Sequence, residues 1–439
     1  MGNLTGKLRT ALTGATIVVA GTVLGFVATQ YQWPLAHRLN EIRLAFIEVS
    51  KAMRRPDFLS GPAAPFDTRT HRADELQPGL VMISGIDAQE RSFIRVIDRD
   101  GNIQHEWLPD WFDMWPEPPA GVPANRLPNR SPAALLHGMR ILDDGDVVVN
   151  WELLSTMRLS PCGEVRWKLE NLGHHSVNLG EDDTIYVGAE IYKDTYPVGF
   201  ENHFAPLNSY AIQQLDMDGN TLMYKEILEI LRDNDLLGLM HLSARHNTET
   251  AVAFDTLHLN DVEVFPSTLP SQVFEAGDLM ISLRNISTIL VVDPDDWRVK
   301  FLSVGKVHRQ HDPDFAPGDR IYVYDNRNMD SLVPADRKYS RIIELDARTG
   351  ASRVAFQGEG PARFYGKSLG RQQKLANGNF MAIAGWDGRA LEVNEAGDLV
   401  WEFFNRVDAD HTGVITEAEI LPAHMDTAFF AALRQECGQ

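Results

Sequence analysis

The sequence predicts an all-β fold, a six-bladed β-propeller, because two kinds of hairpin alternate along most of the chain. In the first kind, an alternating apolar run, a tight turn and a second apolar run follow one another, as in IRVIDRDGNIQHEWL from Ile94. Six such hairpins occur, and their turns are about 47 to 77 residues apart, a period typical of a four-stranded blade. The turns are centred on Gly101, Gly163, Gly219, Asp296, Gly350 and Gly397.

Hairpins of the second kind lie between the first and complete the predicted blades. Three of them begin with a histidine: HGMRILDDGDVVVNW from His137, HSVNLGEDDTIYVG from His175 and HDPDFAPGDRIYVYDN from His311. A related segment starts at Arg371, and His258 opens a further strand, HLNDVEVF. Because the inner strands of a propeller start at one rim of the central channel, the four histidines are predicted to face one small space. A single histidine at a strand start is more often a packing residue, but recurrence at equivalent positions favours a shared polar site.

The composition agrees with a large β body and disfavours one class of partner. The 439 residues, of which 44% are hydrophobic, suffice for a closed propeller with an appendage. The net charge of −20 disfavours nucleic acid, whose phosphates need a basic surface. The two cysteines, Cys162 and Cys437, fit either a reducing compartment or a single disulfide.

The N-terminal segment is predicted to be a membrane anchor. Residues 10–33 contain no ionised side chain and are long enough to cross a hydrocarbon core, which needs about 20 residues. We expect a single transmembrane helix there, with residues 1–9 in the cytoplasm. A cleaved secretory signal is the alternative, since Lys7 and Arg9 form a basic start, but a clean cleavage site is missing. Basic residues on both sides of the span, such as Arg38, leave the positive-inside rule undecided.

The rest of the chain divides into a connecting segment, a propeller and a terminal helix. Residues 34–79 are expected to form a short amphipathic helix, ending before Pro56, and a linker rich in Pro and Gly. The propeller is predicted at 80–421, with a helical insertion at 225–246 that would lie over one rim as a lid. A C-terminal helix is predicted at 422–439.

One segment near the C-terminus resembles an EF-hand loop. Oxygen donors at loop positions 1, 3, 5, 9 and 12 are supplied by Asp408, Asp410, Thr412, Thr416 and Glu419. The residues before this loop are typical of a strand and not of an entering helix, and Pro422 truncates any exiting helix. We therefore expect an ordinary closing loop, with calcium binding as the weaker alternative. No other metal and no cofactor is expected.

The segment from Phe254 to Asn326 resembles the arylsulfotransferase family, in its broad arylsulfotransferase-like branch. Three blocks in the family's order carry the resemblance: DTLHLNDVEVF, GDLMISLRNISTILVVDPDD and QHDPDFAPGDRIYVYDN. The likeness extends more weakly over 80–421. That family forms six-bladed propellers. The resemblance implies transfer of a sulfuryl group from an aryl sulfate to a phenolic acceptor, without a nucleotide donor.

The resemblance also implies which residues act. The family's nucleophile is the histidine of a Gln-His pair, which falls here on Gln310 and His311. Its His-x-Asn element falls on His258 and Asn260. Its Ser-Arg element falls on Arg284, whose guanidinium would hold sulfuryl oxygens.

A further family histidine belongs to a His-His pair, which matches His174 and His175, with His175 favoured as the catalytic member. His137, His174 and Gln310 are expected to contact substrate. The chain departs from the secreted members of the family, which carry an N-terminal β-sandwich and a second basic residue where Asn285 stands here.

Three kinds of function compete. The first is a single-pass enzyme of the inner membrane, with its propeller on the periplasmic or extracellular side, that binds small aryl sulfates and phenols. The second is a catalytically silent propeller that acts as a scaffold subunit of a membrane protein assembly and docks through 35–55. The third, a metal-dependent hydrolase, is disfavoured by strand starts that are rich in histidine and poor in carboxylates. The joint presence of four residues favours the first: His258, Asn260, Arg284 and His311.

Overall fold

The computed structural model describes residues 58–60, 64–124, 126–193, 203–243, 252–328 and 333–438. The predicted anchor at 10–33, residues 1–9 and the predicted amphipathic helix lie outside these ranges. Among the described residues, no helix is both long enough and apolar enough to span a membrane.

Six antiparallel sheets form the blades of a closed propeller, which confirms the predicted all-β, six-bladed fold. In blades 2 to 6 the inner two strands come from a hairpin of the second kind and the outer strands from one of the first kind. The alternation of the two hairpins along the sequence therefore corresponds to the order of strands from the channel outward.

Two short strands, β1 (Leu59–Ser60) and β2 (Thr68–Thr70), precede the first blade. The blades are given from the inner to the outer strand. Blade 1 contains β28 (Ile415–Ile420), β3 (Val81–Ile86), β4 (Ser92–Ile97) and β5 (Ile103–Trp107). Blade 2 contains β6 (Leu136–Ile141), β7 (Val147–Trp151), β8 (Ser155–Leu159) and β9 (Val165–Leu169). Blade 3 contains β10 (Gly173–Gly180), β11 (Thr184–Lys193), β12 (His203–Asp216) and β13 (Thr221–Glu226), and β14 (Val252–Asp255) pairs in parallel with β12.

Blade 4 contains β15 (Leu259–Val264), β16 (Leu279–Leu283), β17 (Thr288–Val292) and β18 (Val299–Val304). Blade 5 contains β19 (His311–Ala316), β20 (Arg320–Asp325), β21 (Arg341–Asp346) and β22 (Ser352–Phe356). Blade 6 contains β23 (Gln372–Lys374), β24 (Phe380–Ala384), β25 (Arg389–Val393) and β26 (Leu399–Phe404). A separate pair joins β1 to β27 (Thr412–Gly413).

Blade 1 closes the ring because its inner strand comes from the far end of the chain. β28 pairs antiparallel with β3, with Ala418 opposite Ile83. β28 also contacts the inner strands of blades 2 and 6. Because β28 completes blade 1, the first and last parts of the propeller are joined, and every blade packs against two others around the channel.

Apolar layers between neighbouring blades form the core. Successive side chains of a strand point to opposite faces, so each blade packs against both neighbours. In β3, Met82 joins the layer shared with blade 2, whereas Val81 and Ile83 join the layer shared with blade 6. One such layer lies between each pair of adjacent blades.

Three α-helices are described: α1 (Trp111–Met114), α2 (Ile227–Asp233) and α3 (Thr427–Glu436). Short 3₁₀ helices occur at Leu237–Ser243, Arg284–Ile286, Ala335–Arg337, Gly360–Ala362 and Gly385–Asp387. In the predicted helical insertion, α2 packs on β12 and β13 and buries its apolar face between blades 3 and 4. The 3₁₀ helix that follows α2 contacts the one that begins at Arg284.

The linker predicted at 34–79 contributes a strand that the sequence did not reveal. β2 pairs with β26 as a fifth strand of blade 6, with Arg69 opposite Glu402. Its sequence, TRT, has no apolar residue and therefore no strand signal. A short polar strand of this kind is typical of the exposed edge of a sheet.

Cys162 and Cys437 form a disulfide, with their Cα atoms 5.3 Å apart. It ties the outer turn of blade 2 to the end of α3. Phe430 of α3 is fully buried against blades 1 and 2. The C-terminal helix is therefore fixed to the propeller by packing and by a covalent bond.

Candidate functional site

Bulges interrupt the inner strands of blades 1 to 5 near their starts. In β10 the register shifts between His174 and Val177, and His175 takes a positive φ of 54°. In β6 the corresponding turn of the backbone is made by Gly138, with φ 89°. A bulge places an extra residue in one strand and redirects the neighbouring side chains. Consecutive residues can therefore reach the channel from the same strand.

Five histidines meet at this rim and are called here the rim histidine cluster: His137, His174, His175, His258 and His311. His175 lies at its centre, with ring centroids 4.0 Å from His137, 4.2 Å from His174, 5.1 Å from His258 and 5.6 Å from His311. The structure thus brings together the histidines that start the inner strands of blades 2 to 5. His174 and His175 both belong to the cluster because of the bulge between them and Val177.

A row of short polar contacts runs through the cluster. His175 Nδ1 lies 3.1 Å from His137 Nε2, and His175 Nε2 lies 3.0 Å from His258 Nε2. His258 Nδ1 lies 2.6 Å from Asp255 Oδ2, and the Tyr210 hydroxyl donates to Asp255 Oδ1 at 2.7 Å. Burial would raise the pKa of Asp255, but the hydrogen bonds from His258 and Tyr210, together with the neighbouring His258 and His174 rings, outweigh it and hold this pKa below its usual range. An ionised Asp255 only accepts, so His258 Nδ1 carries a proton and its Nε2 faces the cluster.

The other end of the row approaches a second carboxylate. Glu152 Oε2 lies 3.9 Å from His137 Nδ1. Burial would raise the pKa of Glu152, but the nearby His137 holds it at about 2. The row therefore begins and ends at an ionised carboxylate.

His311 is held with one ring nitrogen free. Its Nδ1 lies 2.7 Å from Asn326 Oδ1, and the amide nitrogen of Asn326 donates to the Gly366 carbonyl at 2.8 Å. Asn326 is therefore oriented with its oxygen toward His311, so Nδ1 carries the proton and Nε2 has the lone pair. This Nε2 is buried and has no hydrogen-bond partner among the described residues. Burial, reinforced by the charge of Arg284, lowers the pKa of His311 well below its usual range, so the ring is neutral.

Two guanidinium groups stand beside the cluster. The Arg284 side chain donates to Asn285 Oδ1 at 3.2 Å, and Arg309 donates to the same oxygen at 3.0 Å. Burial and the neighbouring Arg309 lower the pKa of Arg284 from its usual value, but an arginine remains charged. Arg309 thus supplies a second positive charge, although Asn285 occupies the position where the secreted family members have a basic residue.

Two further predicted residues connect blade 4 to the strand that carries His311. The Asn260 amide donates to the Gln310 carbonyl at 2.6 Å. The Gln310 amide donates to Ser282 Oγ at 3.0 Å and to the Thr288 carbonyl at 3.1 Å, so it points into blade 4 and not into the cluster. In this structure both side chains hold the backbone that precedes His311.

His174 lies in the cluster without polar partners. It is 1% exposed, and neither ring nitrogen has a hydrogen-bond partner within the described ranges. Its ring stacks on Tyr210 at 5.2 Å and lies 4.8 Å from His258. Burial lowers the pKa of His174 and of His175 well below the usual range, so both rings are neutral.

Sequence reasoning did not single out several residues that orient this site: Asp255, Asn326, Tyr210, Glu152 and Arg309. Asp255 and Asn326 lie within or beside the blocks that resemble the family, each next to a strand end. A polar residue at the end of an apolar strand was the available signal.

Further along the same inner strands is a second group of charged residues, called here the channel ion-pair zone: Arg140, Asp261, Glu263, Asp312, Asp314, Arg371, Glu417 and Glu419. Arg371 contacts Asp312 and lies 2.9 Å from Glu417 Oε2 and 3.7 Å from Glu419 Oε2. Arg140 donates to Glu419 at 2.7 Å. Burial raises the pKa of Asp312 to about 7. Burial likewise raises the pKa of Asp261 to about 6.

The EF-like segment does not wrap around a common point. Thr412 lies in β27, and Thr416 and Glu419 lie in β28, whose extended chain carries its oxygen atoms apart. Thr416 Oγ1 contacts Ser84 Oγ at 2.5 Å, and Asp408 contacts His411 at 3.0 Å. These oxygens take part in contacts within the protein.

The sequence profile of the arylsulfotransferase (ASST) family matches residues 138–406, which is more than half of the chain. The matched region includes every histidine of the rim cluster except His137, which immediately precedes it. The protein therefore belongs to the arylsulfotransferase family, as the sequence blocks indicated.

Solved propeller structures are also similar to this chain. A protein of unknown function from Bacteroides caccae has a TM-score of 0.48 at 10% identity and covers 77% of this chain and 98% of its own. A streptogramin B lyase has a TM-score of 0.41 at 8% identity and covers 83% of this chain and 97% of its own. TolB from Acinetobacter baumannii has a TM-score of 0.42 at 12% identity, covering 77% and 66% respectively. No curated protein matches the sequence.

Proposed function

We propose that this protein transfers a sulfuryl group from an aryl sulfate to a phenol through a sulfohistidine at His311. The observation that carries the proposal is the free Nε2 of His311, which is buried beside Arg284 while Asn326 fixes the proton on Nδ1. A neutral imidazole with an available lone pair is the form that attacks sulfur. Membership of the arylsulfotransferase family supports the same reaction class.

The first step breaks the bond between sulfur and the donor oxygen. His311 Nε2 attacks sulfur, the S–O bond breaks, and the phenolate leaves with the electron pair. His258, protonated on both nitrogens and paired with Asp255, donates its Nε2 proton to that oxygen, so that phenol departs. His311 keeps its Nδ1 proton, which Asn326 accepts in a hydrogen bond. The sulfuryl group is then bonded to His311 Nε2.

The second step reverses the roles. The acceptor phenol attacks sulfur as His258 Nε2 takes its proton, and the N–S bond breaks to return neutral His311. Asp255 holds the His258 ring in one orientation and stabilises its protonated form, as a carboxylate does for a catalytic imidazole. The cycle restores both histidines.

The charges around the cluster suit a sulfuryl group in transfer. Such a group resembles a loose phosphoryl transition state, with charge on three oxygens, so positioning and electrostatic stabilisation dominate the rate. Arg284 presents a planar set of N–H donors, and its Nε has no partner among the described residues. Arg309 adds a second positive charge nearby.

The test is turnover of a chromogenic aryl sulfate with added phenol by the purified full chain and by His311→Asn. Asparagine keeps a polar side chain but cannot form the N–S bond, so donor cleavage should fall by about 10⁴-fold or more. Kinetics of the native protein should be ping-pong. Mass spectrometry after quenching with donor alone should find the sulfuryl group on the peptide that contains His311.

His424→Asn is the matched control, because His424 is an exposed histidine whose described polar partner is Asp143. It should leave turnover unchanged. Arg284→Lys should lower the rate of donor cleavage by about 10²-fold without abolishing it, since charge is kept and the planar donor set is lost. Turnover by His311→Asn at the native rate would overturn the proposal and leave the scaffold function as the better interpretation.

We propose further that residues 10–33 anchor the chain in the inner membrane with the propeller outside the cytoplasm. The disulfide between Cys162 and Cys437 supports this, because such bonds persist in oxidising compartments. A reporter active only in the cytoplasm, fused after Gly61, should be silent, and a strong signal would reverse the orientation.

A further inference from the structure

Three hydrogen-bonded contacts join His137, His175, His258 and Asp255 in that order. Each contact needs one N–H, because the facing atom is a carboxylate oxygen or a nitrogen lone pair. Three neutral imidazoles carry three N–H groups in total, so they satisfy these contacts with a lone pair left on His137 Nδ1. That nitrogen has no hydrogen-bond partner among the described residues and lies 3.9 Å from Glu152 Oε2.

A cation can take the place of the hydrogen bond between His175 and His258. If His175 Nε2 and His258 Nε2 both offer lone pairs to one metal ion, that contact needs no proton. The three N–H groups can then face Asp255 from His258, His137 from His175, and Glu152 from His137. The two Nε2 atoms are 3.0 Å apart, close to the roughly 3.3 Å between two nitrogen ligands of a tetrahedral zinc ion.

His174 supplies the observation that points to a ligand. Its ring is buried and both nitrogens lack partners in the described part of the chain, an arrangement that is unfavourable for a polar group. Nitrogen atoms of His174, His175 and His258 all lie within 4.8 Å of one another. The His174 ring therefore lies where it can act as a third ligand beside the nitrogens of His175 and His258.

We propose that His174, His175 and His258 bind one divalent transition-metal ion of the zinc class. Three neutral imidazoles are a donor set that Zn²⁺ and its neighbours prefer over Ca²⁺ or Mg²⁺, which take oxygen ligands. Asp255 accepts from His258 Nδ1 and so fixes this ligand, as carboxylates do around protein-bound zinc. A fourth position stays open toward the channel.

The metal site shares His175 and His258 with the proposed sulfuryl site. The binding of the ion itself does not depend on sulfotransfer. Where sulfotransfer occurs, Zn²⁺ should inhibit it in competition with the aryl sulfate, because His258 cannot bind the ion and carry a proton on Nε2 at once.

The experiment is a titration of the chelator-treated full chain with Zn²⁺ and, separately, with Co²⁺. We expect one ion per chain by calorimetry, and visible absorption of tetrahedral Co²⁺ that Zn²⁺ displaces. His174→Gln and His258→Gln should each weaken Zn²⁺ binding by about 100-fold or more. Asp255→Asn should weaken it by about 10–100-fold. His424→Gln, at an exposed histidine, should bind as the native chain does.

Far-ultraviolet circular dichroism of each metal-free variant shows whether weaker Zn²⁺ binding comes from loss of a ligand or from loss of folding. Asp255→Asn tests the site while keeping all three histidine ligands. Absence of Zn²⁺ binding in the micromolar range would overturn the proposal. Binding that survives His174→Gln and His258→Gln together would also overturn it. A chain that binds Co²⁺ as expected but shows no turnover would retain the metal site and remove the sulfotransferase proposal.

Discussion

The central channel has two zones on the same inner strands, and they differ in how completely their polar atoms are paired. In the rim cluster, His311 Nε2 and both nitrogens of His174 lack partners among the described residues. In the channel ion-pair zone, Arg371 alone meets three carboxylates. Unpaired buried groups cost stability and are kept where chemistry requires them, whereas paired ions hold strands together. By this comparison, the rim histidine cluster is the reactive part of the channel, and the channel ion-pair zone stabilises the ring of blades.

The largest effect should follow from removing the charge behind His258. Asp255→Asn leaves the rim without the carboxylate that orients and charges this ring, so kcat should fall by about 10²–10⁴-fold. The free energy of unfolding should change much less. The control is Asp143→Asn, which changes an Asp–His pair between exposed side chains and should leave the rate unchanged. A rate that Asp255→Asn leaves intact would contradict the assignment of reactivity to the rim.

A substitution in the ion-pair zone should show the opposite pattern. Arg371→Gln leaves two buried carboxylates, Asp312 and Glu417, and the partly buried Glu419 without their shared cation, which should lower the free energy of unfolding by about 3–5 kcal/mol in urea titration. Arg72→Gln, at an exposed pair with Asp398, should cost about 0–1 kcal/mol. Equal losses in the two variants would mean that the channel ions do not stabilise the ring.

The two zones should also respond to pH with opposite signs. The folded-state pKa values of His174, His175 and His311 lie below the unfolded value, so the unfolded state binds more protons and the stability from these rings falls as pH drops below about 6.5. Burial raises the pKa values of Asp261 to about 6 and of Asp312 to about 7, so the folded state binds more protons there. Their contribution therefore falls as pH rises from about 4 to about 7.

Urea titrations at about pH 5 and about pH 8 measure these slopes. Relative to the native chain, His311→Asn should gain stability at the lower pH and Asp312→Asn at the higher pH, each by about 1–3 kcal/mol. If both variants gained stability at the same pH, the two zones would not differ in the pH dependence of their contribution to stability.

The smallest effect should come from calcium. Since Thr412, Thr416 and Glu419 lie in extended strands, Ca²⁺ should not raise the melting temperature of the native chain or of Asp408→Ala. A rise of several degrees that Asp408→Ala abolishes would make the loop a calcium site.

The blades could be predicted from sequence because each hairpin has a local signal, an alternating pattern interrupted by a turn. The meeting of four histidines followed from their shared place in a repeat. The resemblance placed His174 near the substrate, but alternation could not show that both His174 and His175 reach the cluster, because it places only one of two adjacent residues on a face and the bulge in β10 removes that rule. Asp255 lies at the end of β14, which belongs to no repeat and pairs in parallel with β12, so the repeat did not point to it.

The position of β28 makes completion of the site depend on a strand far downstream of the rim histidines. Its Glu417 accepts the Gly138 amide at 3.0 Å, next to the first histidine of the rim. A polypeptide that stops before Ile415 has blade 1 without its inner strand and that amide without its acceptor. During synthesis the rim therefore gains its full set of contacts only after β28 has been made, and until then β3 is an open sheet edge.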